Sequence, residues 1–415
     1  MTSEKDLIAW KTDAWKDPGM AAWYNQRMGQ NQGTNRLKNR VEVELMARYV
    51  VGPRILDVGA GTGRASLPLA LAGHGVMAID SSQAMLDQYR ANAGDIPVEL
   101  KVGDVTKLPC GDGEFDSLMS LNVMVHFPHW RDILVEWKRA TKPGGRIVFD
   151  IHSLDHVESA GRVKPQMLEN QTHEGFESYT SRARSDDIVA TADELGLAVV
   201  AMVPYAGVFG GGNTNRWLQG SLASKSSWER LLSWMSLDNR MLDFGLFLEQ
   251  ECFAYLSPMA TSLMMVVLEN RVDKAGNAAW LERRKVLDTA LTQPISLSSL
   301  SPLIPQWDVA WRQRLNAHLN WPRNRVMAYS LWSAFWDYPG HFNLASLLEE
   351  PHLATFECWH EEWQMDTLTT HLLHAMADDP EFQALFTYRD VPLGYGFEYD
   401  LTREVLTNYF EAFKT

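Results

Sequence analysis

Cysteine is scarce: Cys110, Cys252 and Cys358 are the only three in 415 residues, and they stand far apart. No pair has metal-ligand spacing, so no metal is expected. A sparse, unpaired set suits a reducing compartment, which predicts a cytoplasmic protein. Long apolar runs are missing as well. The longest, 195–209, is interrupted by Gly196, Pro204 and Gly207. It also falls short of the ~20 residues needed to cross a bilayer, so no membrane association is expected. Residues 1–10 are polar and charged, with no segment of the secretory type. No Lys/Arg run would make a basic patch, and 38 basic against 52 acidic residues give a net charge of −14. Such a surface repels phosphate backbones, which argues against nucleic acid and for a small-molecule partner.

What is present is an ordinary globular composition, 46% hydrophobic and 22% charged. The length predicts two domains, or one large domain with insertions. From Arg54 onwards, apolar strand-like runs alternate with helical patterns. Strands are expected at 54–58, 75–79, 98–102, 117–121, 146–151, 198–203 and 262–269. Helices are expected at 41–50, 65–72, 82–92 and 130–140, the third capped by Ser81 and Ser82. This rhythm predicts an α/β fold, a doubly wound, mostly parallel sheet of seven strands with helices on both faces. Between the last two strands, Trp228, Leu231, Leu232, Met235, Leu248, Cys252 and Tyr255 recur at helical spacing and predict a helical insertion within 207–256. A domain boundary is expected at 272/273. The segment 273–415 holds eight of the 16 tryptophans and has 11 basic against 19 acidic residues. Its leucines fall at helical spacing, which predicts a mostly helical C-terminal domain.

The central motif is Ile55-Leu56-Asp57-Val58-Gly59-Ala60-Gly61-Thr62-Gly63-Arg64. A buried strand, a tight glycine turn and a helix let a ligand approach the backbone where a side chain would block it. A dinucleotide-binding turn would want Gly or Ala where Arg64 stands, which disfavours a nicotinamide-dependent oxidoreductase. Four further motifs follow in order. They are Met77-Ala78-Ile79-Asp80-Ser81-Ser82, Val102-Gly103-Asp104-Val105, Leu121-Asn122-Val123-Met124-Val125-His126-Phe127, and the turn Lys142-Pro143-Gly144-Gly145.

Together these motifs resemble class I methyltransferases that use S-adenosylmethionine, in the type-11 and ubiquinone/menaquinone group. The resemblance covers about residues 40–151 firmly and the later strands loosely. It implies S-adenosylmethionine as cofactor, with Asp57, Gly59, Ala60, Gly61 and Gly63 forming the turn against its amino-acid part. It implies Asp80, with Ser81, on the ribose, Met85 beside the adenine, and Asp104 and Val105 on the adenine edge. Leu121 and Asn122 close the cofactor site, and Arg27 could pair with the carboxylate or simply be solvated. The implied function is transfer of a methyl group to oxygen or nitrogen of a small molecule. A non-catalytic scaffold that only binds the cofactor is the rival.

Each motif also has a plainer reading, since glycine turns and strand-end acids occur in cofactor-free α/β domains. His126 follows the fourth strand and could take a proton from an acceptor, or could pack beside the cofactor. His152 competes for the same role. The acceptor pocket is expected between the sheet's carboxyl edge and 207–256, with Gly210-Gly211-Gly212 as a hinge. In the tail, Trp332, Phe335, Trp336, Trp359 and Trp363 fit core packing better than a ring-binding platform. That domain is expected to cap the acceptor or to join two copies in a homodimer.

Overall fold

The computed structural model describes residues 8–9, 12–29, 34–159, 171–173, 176–178, 180–209, 238–292, 300–321, 324 and 328. It divides into two compact units. The first holds 1–30, 41–205 and 257–285, and the second 31–40, 206–256 and 286–415.

The first unit is built on the expected sheet. Helices α1 Pro18–Gly29 and α2 Thr34–Tyr49 lead into β1 Arg54–Val58. Then come α3 Leu67–Leu71, β2 Gly75–Asp80, α4 Gln83–Ala93, β3 Val98–Val102, β4 Phe115–Ser120, α5 Trp130–Ala140 and β5 Thr141–Ser153. Beyond these lie α6 Leu154–Ser159, a two-stranded hairpin of β6 Gln171–His173 with β7 Phe176–Ser178, the short β8 Arg182–Ala183, α7 Ser185–Leu195, β9 Ala198–Tyr205 and β10 Leu263–Glu269.

The strand order is β3-β2-β1-β4-β5-β10-β9, seven strands as expected, with β8 pairing to β5 off this path. The first five strands run parallel, whereas β10 is antiparallel to both β5 and β9. Chain order reverses between β1 and β4. At such a switch point the neighbouring crossover helices lie on opposite faces, and a crevice opens at the strands' carboxyl ends.

Packing joins the crevice to the core. On α5, Trp130, Ile133, Leu134 and Trp137 repeat at three and four residues and are wholly buried against the sheet. Each such side chain contributes about 1.5–3 kcal/mol. Trp137 meets Phe149 of β5 edge-on at 5.8 Å, and its indole N–H donates to the Val105 carbonyl at 3.1 Å. That bond ties the loop after β3 to the core. Ser82 caps α4 as expected, its hydroxyl accepting from the Met85 N–H.

In the second unit, α8 Asn239–Phe247 runs into a π-turn at Leu248–Cys252. Helix α9 Lys274–Leu291 begins in the first unit and ends in the second, and α10 Val309–Leu319, in the second, comes later in the chain. Phe247 stacks on Trp311, and Phe244 on His318. The Trp307 and Trp311 indoles both donate to the Glu251 carbonyl. The run Gly210-Gly211-Gly212, the helical pattern at 217–237 and the tail aromatics from Trp332 to Trp363 lie outside the described residues. Among the described residues no helix is long and apolar enough to cross a membrane, and no cluster of His, Cys, Asp and Glu could hold a metal.

Candidate functional site

At the switch point lies a cleft open to solvent. The turn after β1 forms its floor. Gly59 and Ala60 donate to the Ile79 carbonyl, and the Gly61 N–H donates to Asp80 Oδ2 at 2.8 Å. Gly61 has φ +54 with open space where a Cβ would stand, so the left-handed backbone alone calls for glycine there. Gly63 differs: a Cβ would lie 2.6 Å from the Tyr89 ring. Glycine there answers both that packing and a left-handed φ of +85, and Gly63 does not line the cleft.

Asp57, Gly59, Ala60, Gly61, Asp80, Ser81, Met85, Val105, Leu121, Asn122 and His126 all line the cleft. Asp104, Arg27 and His152 do not. Asp104 adjoins the lining residue Val105 and is exposed, its Oδ1 accepting from the Thr106 N–H and hydroxyl. Arg27 lies over the Trp23 ring at 5.2 Å. His152 sits in β5, paired with Leu263 and Arg182.

The carboxylates set the electrostatics. Asp57 is wholly buried, and burial pushes its carboxyl up to about 7, against a hydrogen bond from Ser66 and with help from the nearby charge of Asp80. Its Oδ2 has no partner among the described residues. Asp80 is also raised by burial, partly offset by backbone N–H groups. Its Oδ1 accepts from the Ser82 N–H at 2.8 Å.

A second polar network was not read from the sequence. Glu42 on α2 is fully buried and pairs with Arg64 at 2.6 Å. Burial works against the Arg64 charge, but Glu42 and Tyr24 together raise its pKa. Asn122 adopts φ +60, uncommon for a residue with a side chain. Its N–H donates to Asp150 Oδ1 at 2.5 Å, while Asp150 Oδ2 accepts from the Tyr205 hydroxyl at 3.0 Å. A signal for Glu42 exists in the sequence. It stands beside Val41, Leu45 and Met46 on the buried side of α2, where a carboxylate needs a partner.

The remaining wall is aromatic. Trp15 and Tyr24, from the N-terminal helical segment, meet edge-on at 5.5 Å, and Trp15 faces His126 at 6.5 Å. Thr12 and Phe127 complete it. Asn25 of α1 donates to Gln88 of α4, and Asn92 of α4 donates back to Asn25, which holds that segment in place.

Residues 56–149 match the methyltransferase domain family. A demethylmenaquinone methyltransferase of Clavibacter sepedonicus is 37% identical over 147 residues, covering 33% of this chain and 60% of that protein. An O-methyltransferase of Aspergillus nomiae is 30% identical over 173 residues, covering 40% of this chain and 73% of that protein. The chain spans between about half and three fifths of the demethylmenaquinone methyltransferases it matches first. A solved S-adenosylmethionine-dependent methyltransferase from Mesorhizobium loti overlaps 56% of this chain and 99% of its own, at 15% identity and a TM-score of 0.36. On its motifs, its strand order and these relatives, the chain belongs to the class I S-adenosylmethionine-dependent methyltransferases, in the type-11 group.

Proposed function

We propose that the protein binds S-adenosylmethionine in this cleft and transfers its methyl group to an oxygen or nitrogen of a small-molecule acceptor. One observation carries the reading. A buried carboxylate, Asp57, keeps an oxygen without a partner beside a glycine turn at the sheet's switch point. An orphaned buried acceptor calls for a donor, and an ammonium group supplies one.

The other residues fit the same cofactor. The Asp80 oxygens accept from the backbone N–H groups of Gly61, Ser81 and Ser82, and a carboxylate has lone pairs left for a ribose hydroxyl. Met85, Val105 and Leu121 offer apolar surface to a flat heterocycle. Asp104 keeps Oδ2 for its exocyclic amine. When bound, S-adenosylmethionine supplies a methyl group already activated on sulfur. The chain then has to align the acceptor and exclude water. In this reading His126 takes the proton from the acceptor hydroxyl or amine.

A second reading, methylation of ring carbon, is favoured by the demethylmenaquinone methyltransferase relatives. Methyl-labelled S-adenosylmethionine incubated with phenols, amines and a quinol separates the two, because mass spectrometry identifies the atom that gains the label. No label transferred to any acceptor, with the cofactor bound, would favour the scaffold role.

A further inference from the structure

We infer that the acceptor is a planar aromatic ring without negative charge, held by Trp15, Tyr24, His126 and Phe127. The inference rests on the methyl-transfer reading and narrows its substrate class.

Two groups of aromatic side chains stand out among the described residues of the first unit. Trp130, Trp137 and Phe149 are wholly buried and hold the sheet and α5 together. Trp15, Tyr24, His126 and Phe127 are only half-buried, and all four line the cleft. Their rings meet one another edge-on: Trp15 with Tyr24, Trp15 with His126, and His126 with Phe127 at 6.4 Å. Edge-on neighbours leave ring faces and edges available to a further ring, whose own quadrupole prefers the same offset and edge arrangements. These residues come from two distant stretches, 15–24 and 126–127, so the wall is not the by-product of one helix.

Charge narrows the class. Among the described lining residues the acids are Asp57 and Asp80, both at the strand ends assigned to the cofactor. Arg64 is the one permanent cation there, and Glu42 neutralises it at 2.6 Å. An anionic acceptor would find no uncommitted counter-charge on this wall. A phenol, a neutral heteroaromatic or an aromatic amine meets no such penalty.

The test uses the full-length protein saturated with S-adenosylhomocysteine and two probes of one carbon skeleton, 1-naphthol and decahydro-1-naphthol. Both are apolar alcohols of similar size, and only one is aromatic. The expected result is at least tenfold tighter binding of 1-naphthol by calorimetry. Trp15→Leu should collapse the preference to within about threefold. Trp15→Phe, which restores a ring, should recover most of it. S-adenosylhomocysteine affinity should change less than twofold in both variants. Equal binding of the two probes to the unaltered protein overturns the inference, as does a preference that survives Trp15→Leu. Should Trp15→Leu misfold by circular dichroism, Tyr24→Leu takes its place with the same expectations. Failure of S-adenosylhomocysteine to bind at all would instead sink the methyl-transfer reading, and this inference with it.

Discussion

Asp57 and Glu249 lie in different compact units, yet both are wholly buried and burial pushes both carboxyls up to about 7. Their surroundings differ. Glu249, on the π-turn after α8, accepts from the N–H groups of Gly207, Val208 and Phe209 at 2.7–3.1 Å. Both its oxygens are used, and it pins the backbone that leaves β9. Asp57 has a hydrogen bond from Ser66 and one oxygen with no partner among the described residues. A perturbed carboxyl therefore does not by itself mark a binding site. What sets the two apart is unmet hydrogen-bonding capacity beside a cleft: Glu249 spends both oxygens on the backbone, and the proposed function gives the open oxygen of Asp57 to the ligand.

The largest effect that could break this comparison is on stability at Glu249. Glu249→Ala strands three buried N–H donors, at a cost of roughly 3 kcal/mol or more. Thermal unfolding should show that loss, while affinity for S-adenosylmethionine in the protein that remains folded should change less than threefold. A large loss of affinity without a loss of stability would reverse the assignment.

Asp57→Asn should do the opposite. Removing a charge that would meet an ammonium group costs about 1.5–3 kcal/mol of binding, a tenfold or greater rise in Kd. Stability of the unliganded protein should not fall, and at pH 8 it should rise. The carboxyl holds its proton more tightly folded than unfolded, since its pKa moves from 3.8 to about 7. That contribution is fully present below about pH 4 and is lost as pH rises through about 7, which Asn avoids. Urea melts at pH 5 and pH 8 would check the sign. A variant less stable than the parent at pH 8 contradicts it.

The same titration sharpens the binding side. Below pH 7 the cofactor's ammonium would have to displace a proton from Asp57. Affinity should therefore rise roughly eightfold from pH 6 to pH 7.5 for a group titrating near 7. In Asp57→Asn the rise should disappear. An identical profile in both proteins would remove Asp57 from contact with the cofactor.

The smallest effect is expected at Asp80. Asp80→Asn keeps an acceptor for one backbone N–H and for one ribose hydroxyl, so Kd should rise by about threefold to tenfold. Calorimetry showing no change would take Asp80 out of the site.

Much of this cleft was legible in the sequence because its chemistry sits at strand ends. The strand Val98–Val102 and the helix Trp130–Ala140 have the bounds their apolar patterns predict. Other bounds moved for reasons that side chains do not encode. The ladder carries β5 back to Thr141, through the Pro143-Gly144 turn, by pairing Thr141 with Phe115. β10 reads as one apolar run because it is buried on both faces, and such a run does not reveal that its direction is reversed.

The N-terminal wall was the hard part. Only Ala21 and Met28 of α1 are buried, so no apolar stripe announces the helix. Arg27 is the residue whose charge stands out in that stretch, whereas Tyr24 on the same helix lines the cleft. Glu42, Asp150 and Tyr205 were missed because their pairing depends on tertiary neighbours far along the chain.

The central claim is that the unsatisfied carboxylate of Asp57 marks the cofactor site. Titration calorimetry of S-adenosylmethionine into the full-length protein and into Asp57→Asn at pH 7.5 tests it directly. The account predicts one site with Kd in the micromolar range in the parent and binding at least tenfold weaker in the variant. Equal affinity in the two proteins, or no binding to the parent, would contradict it.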